Sequence, residues 1–169
     1  MTTDLEDSVI TALEYFLEQG HKEIGLLVGQ EETADATPLQ MDPRQRTFQQ
    51  FLTEKGLYEE RFVAVGQFST ESGYQMMEQL IQALGDDLPT AFFMASDAIA
   101  VGALRSLQEH QIAVPDRVSL ISFNDTSIAK YVFPALSTVT VYTEEMGKQA
   151  IQMLRQTFQG SQPSVPCMV

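Results

Sequence analysis

The chain has 169 residues, a length that suits one compact domain or one domain with fragments of another. Its formal net charge is -13, with 23 acidic and 10 basic residues, and the densest basic stretch is only Arg44-Gln45-Arg46. This balance excludes a nucleic-acid-binding surface within the chain, because contact with phosphates requires a local cluster of lysine and arginine.

The sequence also carries no sign of secretion or of membrane insertion. The first four residues, MTTD, have neither the basic nor the apolar segment of a secretory signal, and no run of about 18 apolar residues occurs. Cys167 is the only cysteine, which excludes an internal disulfide and fits a reducing compartment. We therefore expect a cytoplasmic protein that makes no contact with a membrane.

Apolar spacing divides the chain into alternating helices and strands. Apolar residues three or four apart predict helices, and short continuous apolar runs predict strands buried on both faces. In chain order the pattern predicts a helix at 5–17, a strand at 24–28, a helix at 43–52, a strand at 62–65, a helix at 74–84, a strand at 90–95, a helix at 99–107, a strand at 118–123, a strand or extended crossing at 138–142, and a helix at 144–158.

This alternation predicts an α/β fold with three layers, α/β/α, in which a parallel sheet carries helices on both faces. In such sheets ligands bind beyond the carboxyl ends of the strands. The residues that follow the predicted strands include Arg44, Phe68, Ser96 and Asn124, the only asparagine in the chain. An aromatic face beside several hydrogen-bonding groups suits a sugar, whose C–H face stacks while its hydroxyls donate and accept.

Several residues near these strand ends also have a purely structural explanation. Asp97 and Ser69 could be helix N-caps, and Phe68 could seal the edge of the core. The segment 124–126 could be an ordinary turn, and Arg44 could pair with a surface carboxylate. Their shared position at one end of the strands favours a binding site.

The sequence predicts no catalytic residue, no metal site and no cofactor. None of the motifs G-x-S-x-G, H-E-x-x-H, G-x-G-x-x-G or the P-loop occurs. His21 and His110 follow or end predicted helices and have no cysteine or acidic pattern that suits zinc, and Cys167 lies in an apolar tail. An enzyme with Asp97 or Asp125 as a phospho-acceptor is an alternative that would require a tight acidic cluster with a nearby lysine, and only Lys130 is positioned even loosely for this.

Five ordered motifs are similar to one protein family. They are YFLEQGHKEIG (15–25), RQRTF (44–48), PTAFFMASD (89–97), VPDRVSLISFND (114–125) and PALSTV (134–139). In this order they resemble the C-terminal half of LacI/GalR-type transcriptional regulators. The resemblance implies part of a two-lobed effector-binding core that is similar to periplasmic sugar-binding proteins. It implies a bacterial repressor that senses a small molecule, with a sugar as the expected effector. A sugar carrier of the periplasmic type shares this architecture and is the main alternative.

The resemblance also implies how the chain divides. Residues 21–139 and the tail 161–169 would form the second lobe of the core, whereas 1–20 and 140–160 would be remnants of the first lobe. Operator DNA would be a partner only through a helix-turn-helix that this chain lacks.

Five residues stand where the family contacts its effector. Asp7 matches an acidic sugar contact, Arg44 matches the arginine that holds the effector, and Phe68 matches a stacking aromatic. Ser96 stands where the family usually has asparagine, and Asn124 stands where aspartate is common. The two departures leave the identity of the sugar open, because a carboxylate only accepts hydrogen bonds whereas an amide also donates.

A homodimer is the last expectation. Family members pair through the helix that is 98–109 here and through the loop before the proline, where four of the six residues in 128–133 are large and apolar. The terminal helices 5–19 and 144–159 would have lost the sheet that they cover, and could exchange between chains. The expected interface residues are Ala98, Val101, Leu104, Arg105, Ile128, Tyr131 and Val132.

Overall fold

A computed structural model describes residues 5–30 and 41–158 of the chain. Within these ranges a five-stranded, all-parallel sheet carries helices on both faces, so the predicted α/β/α fold is confirmed. Its helices and strands, in chain order, are α1 (Leu5–Glu18), β1 (Ile24–Gly29), α2 (Pro43–Glu54), β2 (Val63–Gly66), α3 (Thr70–Leu84), β3 (Ala91–Met94), α4 (Asp97–Glu109), β4 (Ser119–Asn124), β5 (Ser137–Thr140) and α5 (Thr143–Phe158).

The strand order is β2-β1-β3-β4-β5. The segment that the sequence left undecided near 138–142 is the edge strand β5, whose Ser137 is in register with Ile121 of β4.

The ends of helix α2 follow from local chemistry. Asp42 accepts a hydrogen bond from the Arg44 amide at 2.9 Å and Pro43 occupies the first helical position of α2. Gly56, with φ of +70°, follows that helix in the left-handed conformation that glycine adopts most easily.

Alternating strand residues divide the core into two layers. Leu27, Phe92 and Leu120 point to the face that α3 and α4 cover. The neighbouring residues in the same strands are Leu26, Phe93 and Ile121. They point to the opposite face, which α1 and α2 cover. Since both faces are apolar, the strands had to be continuous apolar runs, and this is why the sequence identified them.

Two glycines allow α3 and α4 to cross at close range. A Cβ atom at Gly102 would overlap the Thr70 carbonyl, and one at Gly73 would overlap the Ile99 carbonyl. The two helices also begin at the same edge of the sheet, because each follows a parallel strand. Their N-terminal residues therefore lie side by side at the carboxyl edge.

The two terminal helices differ in how much of their apolar surface is covered. Val9, Leu13 and Phe16 of α1 are at most 1% exposed and belong to the core, so the expectation that this helix lacks a covering sheet is wrong. Helix α1 packs against α2 and against β3 of this sheet. By contrast, Leu154 and Phe158 of α5 are 59% and 87% exposed.

The division of the chain into two lobes stays a prediction, and the tail 161–169 lies outside the described residues. Across 5–30 and 41–158, no helix is both long enough and apolar enough to span a membrane.

Candidate functional site

A cavity of about 390 Å³ opens at the carboxyl edge of the sheet. Its walls come from the N-termini of α2, α3 and α4 and from the segment after β4, which parallel topology brings to one place. The lining residues are Arg44, Phe68, Thr70, Ser96, Ala98, Asn124, Thr126 and Ile128.

Four of the five residues expected to contact a ligand meet in this cavity: Arg44, Phe68, Ser96 and Asn124. Asp7 is not among the lining residues of the described chain. It lies exposed in the first turn of α1, which puts it near the same edge because α1 runs back to the start of β1. Its role as a sugar contact stays a prediction.

Arg44 is fixed by an internal carboxylate and by two aromatic rings. Its Nε and Nη2 donate to the two carboxylate oxygens of Asp42 at 2.9 and 2.8 Å, and Nη1 donates to the Ala95 carbonyl at 2.6 Å. The guanidinium carbon lies 4.9 Å from the Phe68 ring centroid and 5.6 Å from that of Phe123. Arg44 therefore does pair with a carboxylate, but inside the site rather than on an open surface.

Asp97 is buried behind the cavity wall. Ser122 Oγ and Thr138 Oγ1 donate to its Oδ1, and the backbone amide and hydroxyl of Thr126 donate to its Oδ2 at 2.6 and 2.8 Å. The expectation that Asp97 caps a helix is wrong, because Ser96 is the N-cap of α4 and accepts from the Ile99 amide at 3.3 Å. Asp97 instead ties α4 to β4, to β5 and to the segment that lines the cavity.

The segment after β4 has an unusual backbone. Asn124 and Asp125 have φ values of +111° and +53°, a backbone region that residues other than glycine rarely adopt. Hydrogen bonds hold this turn, since the Asp125 amide donates to Thr138 Oγ1 at 3.1 Å and Thr126 is bound by Asp97. The turn therefore both terminates β4 and presents Asn124 and Thr126 to the cavity.

Sequence reasoning identified only part of this site. Thr70 and Thr126 line the cavity without having been proposed, although both follow strands and Thr126 was noted as part of a turn. The hold of Asp42 on the Arg44 side chain is a further feature that the sequence analysis does not predict. The signal for it was the two-residue spacing, which lets one carboxylate reach both the amide and the guanidinium of Arg44.

The residues expected at a dimer interface are partly exposed. Tyr131 is 87% and Ile128 45% exposed, while Leu104 is only 2% exposed and packs in the core, so Leu104 cannot contribute surface to an interface. Val132 packs partly against the same core layer. The other three lie on α4: Arg105 is exposed and bonded to Glu109, Val101 is half-buried, and Ala98 lines the cavity, as Ile128 also does.

The requirements for a phospho-acceptor are met only in part. Lys130 Nζ lies 3.6 Å from Asp125 Oδ1, but Asp97 is 1% exposed and both of its oxygens accept hydrogen bonds from neighbouring groups.

A second cavity of about 410 Å³ lies at the amino edge of the sheet, where Tyr15, His21 and Ser119 are among its lining residues.

Curated relatives that resemble the chain are regulators. It is 53% identical over 154 residues to the HTH-type transcriptional regulator GalR of Streptococcus thermophilus, covering 91% of this chain and 46% of that protein. It is 40% identical over 163 residues to the HTH-type transcriptional regulator GanR of Bacillus subtilis, covering 96% of this chain and 49% of that protein. The chain thus spans about half the length of these relatives, and neither is named as a carrier or an enzyme.

Solved structures agree with this. The Escherichia coli transcriptional repressor ascG superposes with a TM-score of 0.79 at 28% identity, over 96% of this chain and 57% of that one. A sugar-binding transcriptional regulator of the LacI family from Escherichia coli, complexed with phosphate, gives 0.81 at 29% identity, over 97% and 57%. The family model described as a periplasmic binding protein-like domain matches residues 13–167. The chain therefore belongs to the periplasmic binding protein-like domain family, in the form found in the core of LacI/GalR-type transcriptional regulators.

Proposed function

We propose that the chain is the effector-binding part of a transcriptional repressor and that its effector is a sugar held in the carboxyl-edge cavity. The observation that carries this proposal is the meeting of Arg44, Phe68, Ser96 and Asn124 in one cavity. An aromatic ring, a guanidinium, a hydroxyl and an amide together match the stacking face and the hydroxyl groups of a sugar. A similar LacI-family protein is named as sugar-binding, which supports the same ligand class here.

Effector binding would regulate DNA affinity by shifting the balance between two arrangements of the complete core. The exposed apolar residues of α5, among them Ile151 at 62% and Leu154 at 59%, support the assignment of 140–160 to the side that faces a first lobe. The helix-turn-helix would lie in a part of the protein outside this chain, as the names of the relatives suggest. A regulator of this kind would act in the cytoplasm and would have no catalytic activity of its own.

We also propose that the chain forms a homodimer. The exposed side chains of Tyr131 and Phe133, each 87% exposed, support an interface at the loop before Pro134. On α4 the exposed Arg105 and the half-buried Val101 would extend it. Exchange of α1 between chains has lost its basis, because α1 is packed in its own core.

The proposed site predicts the effect of one substitution. Arg44→Ala should weaken the binding of the sugar effector by about 1–3 kcal/mol, because the hydroxyl that the guanidinium meets loses a charged donor. Isothermal calorimetry with a panel of neutral mono- and disaccharides identifies the effector and then measures this loss. Arg46→Ala is the matched control, since Arg46 is 61% exposed and pairs only with Glu6 among its described contacts. Equal affinities for the Arg44→Ala variant and the control would contradict the proposed site.

A further inference from the structure

We propose that Asp42 sets the ligand class of the carboxyl-edge cavity: it balances the charge of Arg44 and occupies its Nε–Nη2 edge, so the cavity favours uncharged polyhydroxyl ligands over anionic ones. This inference rests on the proposed function, because it concerns the same cavity. It concerns a residue that does not itself line the cavity and that acts through Arg44.

The geometry of the pair is the first support. Asp42 takes two parallel hydrogen bonds from Nε and Nη2 of Arg44, at 2.9 and 2.8 Å. This is one of the two edges on which an arginine chelates a phosphate or a carboxylate of a ligand, and on the other edge Nη1 donates to the Ala95 carbonyl at 2.6 Å. The side chains are only 15% and 14% exposed, so solvent screens the pair weakly. An anionic ligand could use this edge only by displacing a carboxylate that is built into the protein.

The charges around the cavity are the second support. Arg44 is the only cation among the eight lining residues of the described chain, and Asp42 balances it. A second carboxylate, Asp97, lies directly behind the wall, where its Oδ2 accepts from the Thr126 amide at 2.6 Å. The formal charges of Arg44, Asp42 and Asp97 sum to -1, and this negative charge opposes the partial positive charge with which the N-termini of α2, α3 and α4 would attract a phosphate.

A neutral ligand meets no such penalty. Three of the five N–H groups of Arg44 are engaged by described residues, which leaves one on each terminal nitrogen for a hydroxyl oxygen. Ser96 and Asn124 add groups that can both donate and accept, and the Thr126 hydroxyl, which donates to Asp97, adds an acceptor. An uncharged polyhydroxyl compound can satisfy these groups without bringing charge into the cavity.

Inorganic phosphate is the probe that tests this inference without knowledge of the effector. Calorimetric titration of the full chain should show that Asp42→Asn binds phosphate at least about tenfold more tightly than the unsubstituted chain, because the charge of Arg44 is no longer balanced and a neutral amide holds its Nε–Nη2 edge less strongly than a carboxylate. Asparagine still caps α2, so the fold is retained. Asp116→Asn is the matched control, since it removes one exposed carboxylate near the amino edge and changes the net charge equally.

The double variant Asp42→Asn with Arg44→Met should lose the gain, which assigns the bound phosphate to Arg44. The inference is overturned if the unsubstituted chain binds phosphate as tightly as Asp42→Asn, or if Asp116→Asn gains as much. Titration with neutral sugars is a separate measurement. If no neutral sugar binds while the phosphate results are as expected, the proposed function fails and the role of Asp42 stands.

Discussion

At the scale of single residues, the site is defined by polar side chains that hold one another in place. Arg44 is held by Asp42, and the turn at 124–126 is held by Asp97. The sequence could predict Arg44, Phe68 and Asn124 because each follows a strand end and matches a family position. It could not predict the partners of Asp97, because Ser122 and Thr138 are brought to it only by the order of the strands.

Asp97 provides a prediction about stability. Asp97→Ala should lower the free energy of unfolding by about 2–4 kcal/mol, since buried donors, including the Thr126 amide, lose their acceptor. Asp97→Asn should cost less, because its amide oxygen still accepts from Thr126 while the hydroxyls of Ser122 and Thr138 can rotate to accept from its nitrogen. Urea denaturation measures both variants, with the exposed Asp116→Ala as control. An Asp97→Ala variant as stable as the control would show that the network contributes nothing.

At the scale of elements, helices and buried strands follow from the apolar pattern with small shifts of their ends. The sequence leaves the edge strand β5 undecided because STVT contains only one apolar residue, as suits a strand that pairs on one side only. The surface that covers α1 cannot be predicted from the sequence for a different reason. Its apolar stripe is visible in the sequence, but the surface on which the stripe packs depends on tertiary structure.

The loop before Pro134 provides a prediction about assembly. Light scattering behind size exclusion, at micromolar concentration, should give twice the mass of one chain. The paired substitution Tyr131→Ser and Phe133→Ser should shift the population toward monomer, because two side chains that are each 87% exposed would supply much of the apolar contact. Tyr15→Ser, which removes an aromatic ring that is 53% exposed in the second cavity, is the matched control. A monomer before substitution, or an unchanged dimer after it, would contradict the proposed interface.

At the scale of the whole molecule, parallel topology decides where function can lie. Each strand delivers its carboxyl end to one edge, so residues that are far apart in sequence, such as Arg44 and Asn124, share one cavity. The chain corresponds to about half of the regulators that it resembles. The carboxyl-edge cavity would therefore be one wall of the complete effector site, and the isolated chain should bind its effector more weakly than a protein with both lobes.

The central claim is that a sugar binds at the carboxyl edge of the sheet. The most direct test is a titration of the ¹⁵N-labelled chain with neutral mono- and disaccharides, followed by amide chemical shifts, which detect binding at millimolar affinity. We expect the shifts to cluster at Arg44, Phe68, Asn124 and Thr126. Shifts that cluster instead around Tyr15 and His21 in the amino-edge cavity, or no shift at the carboxyl edge with any sugar, would contradict the claim.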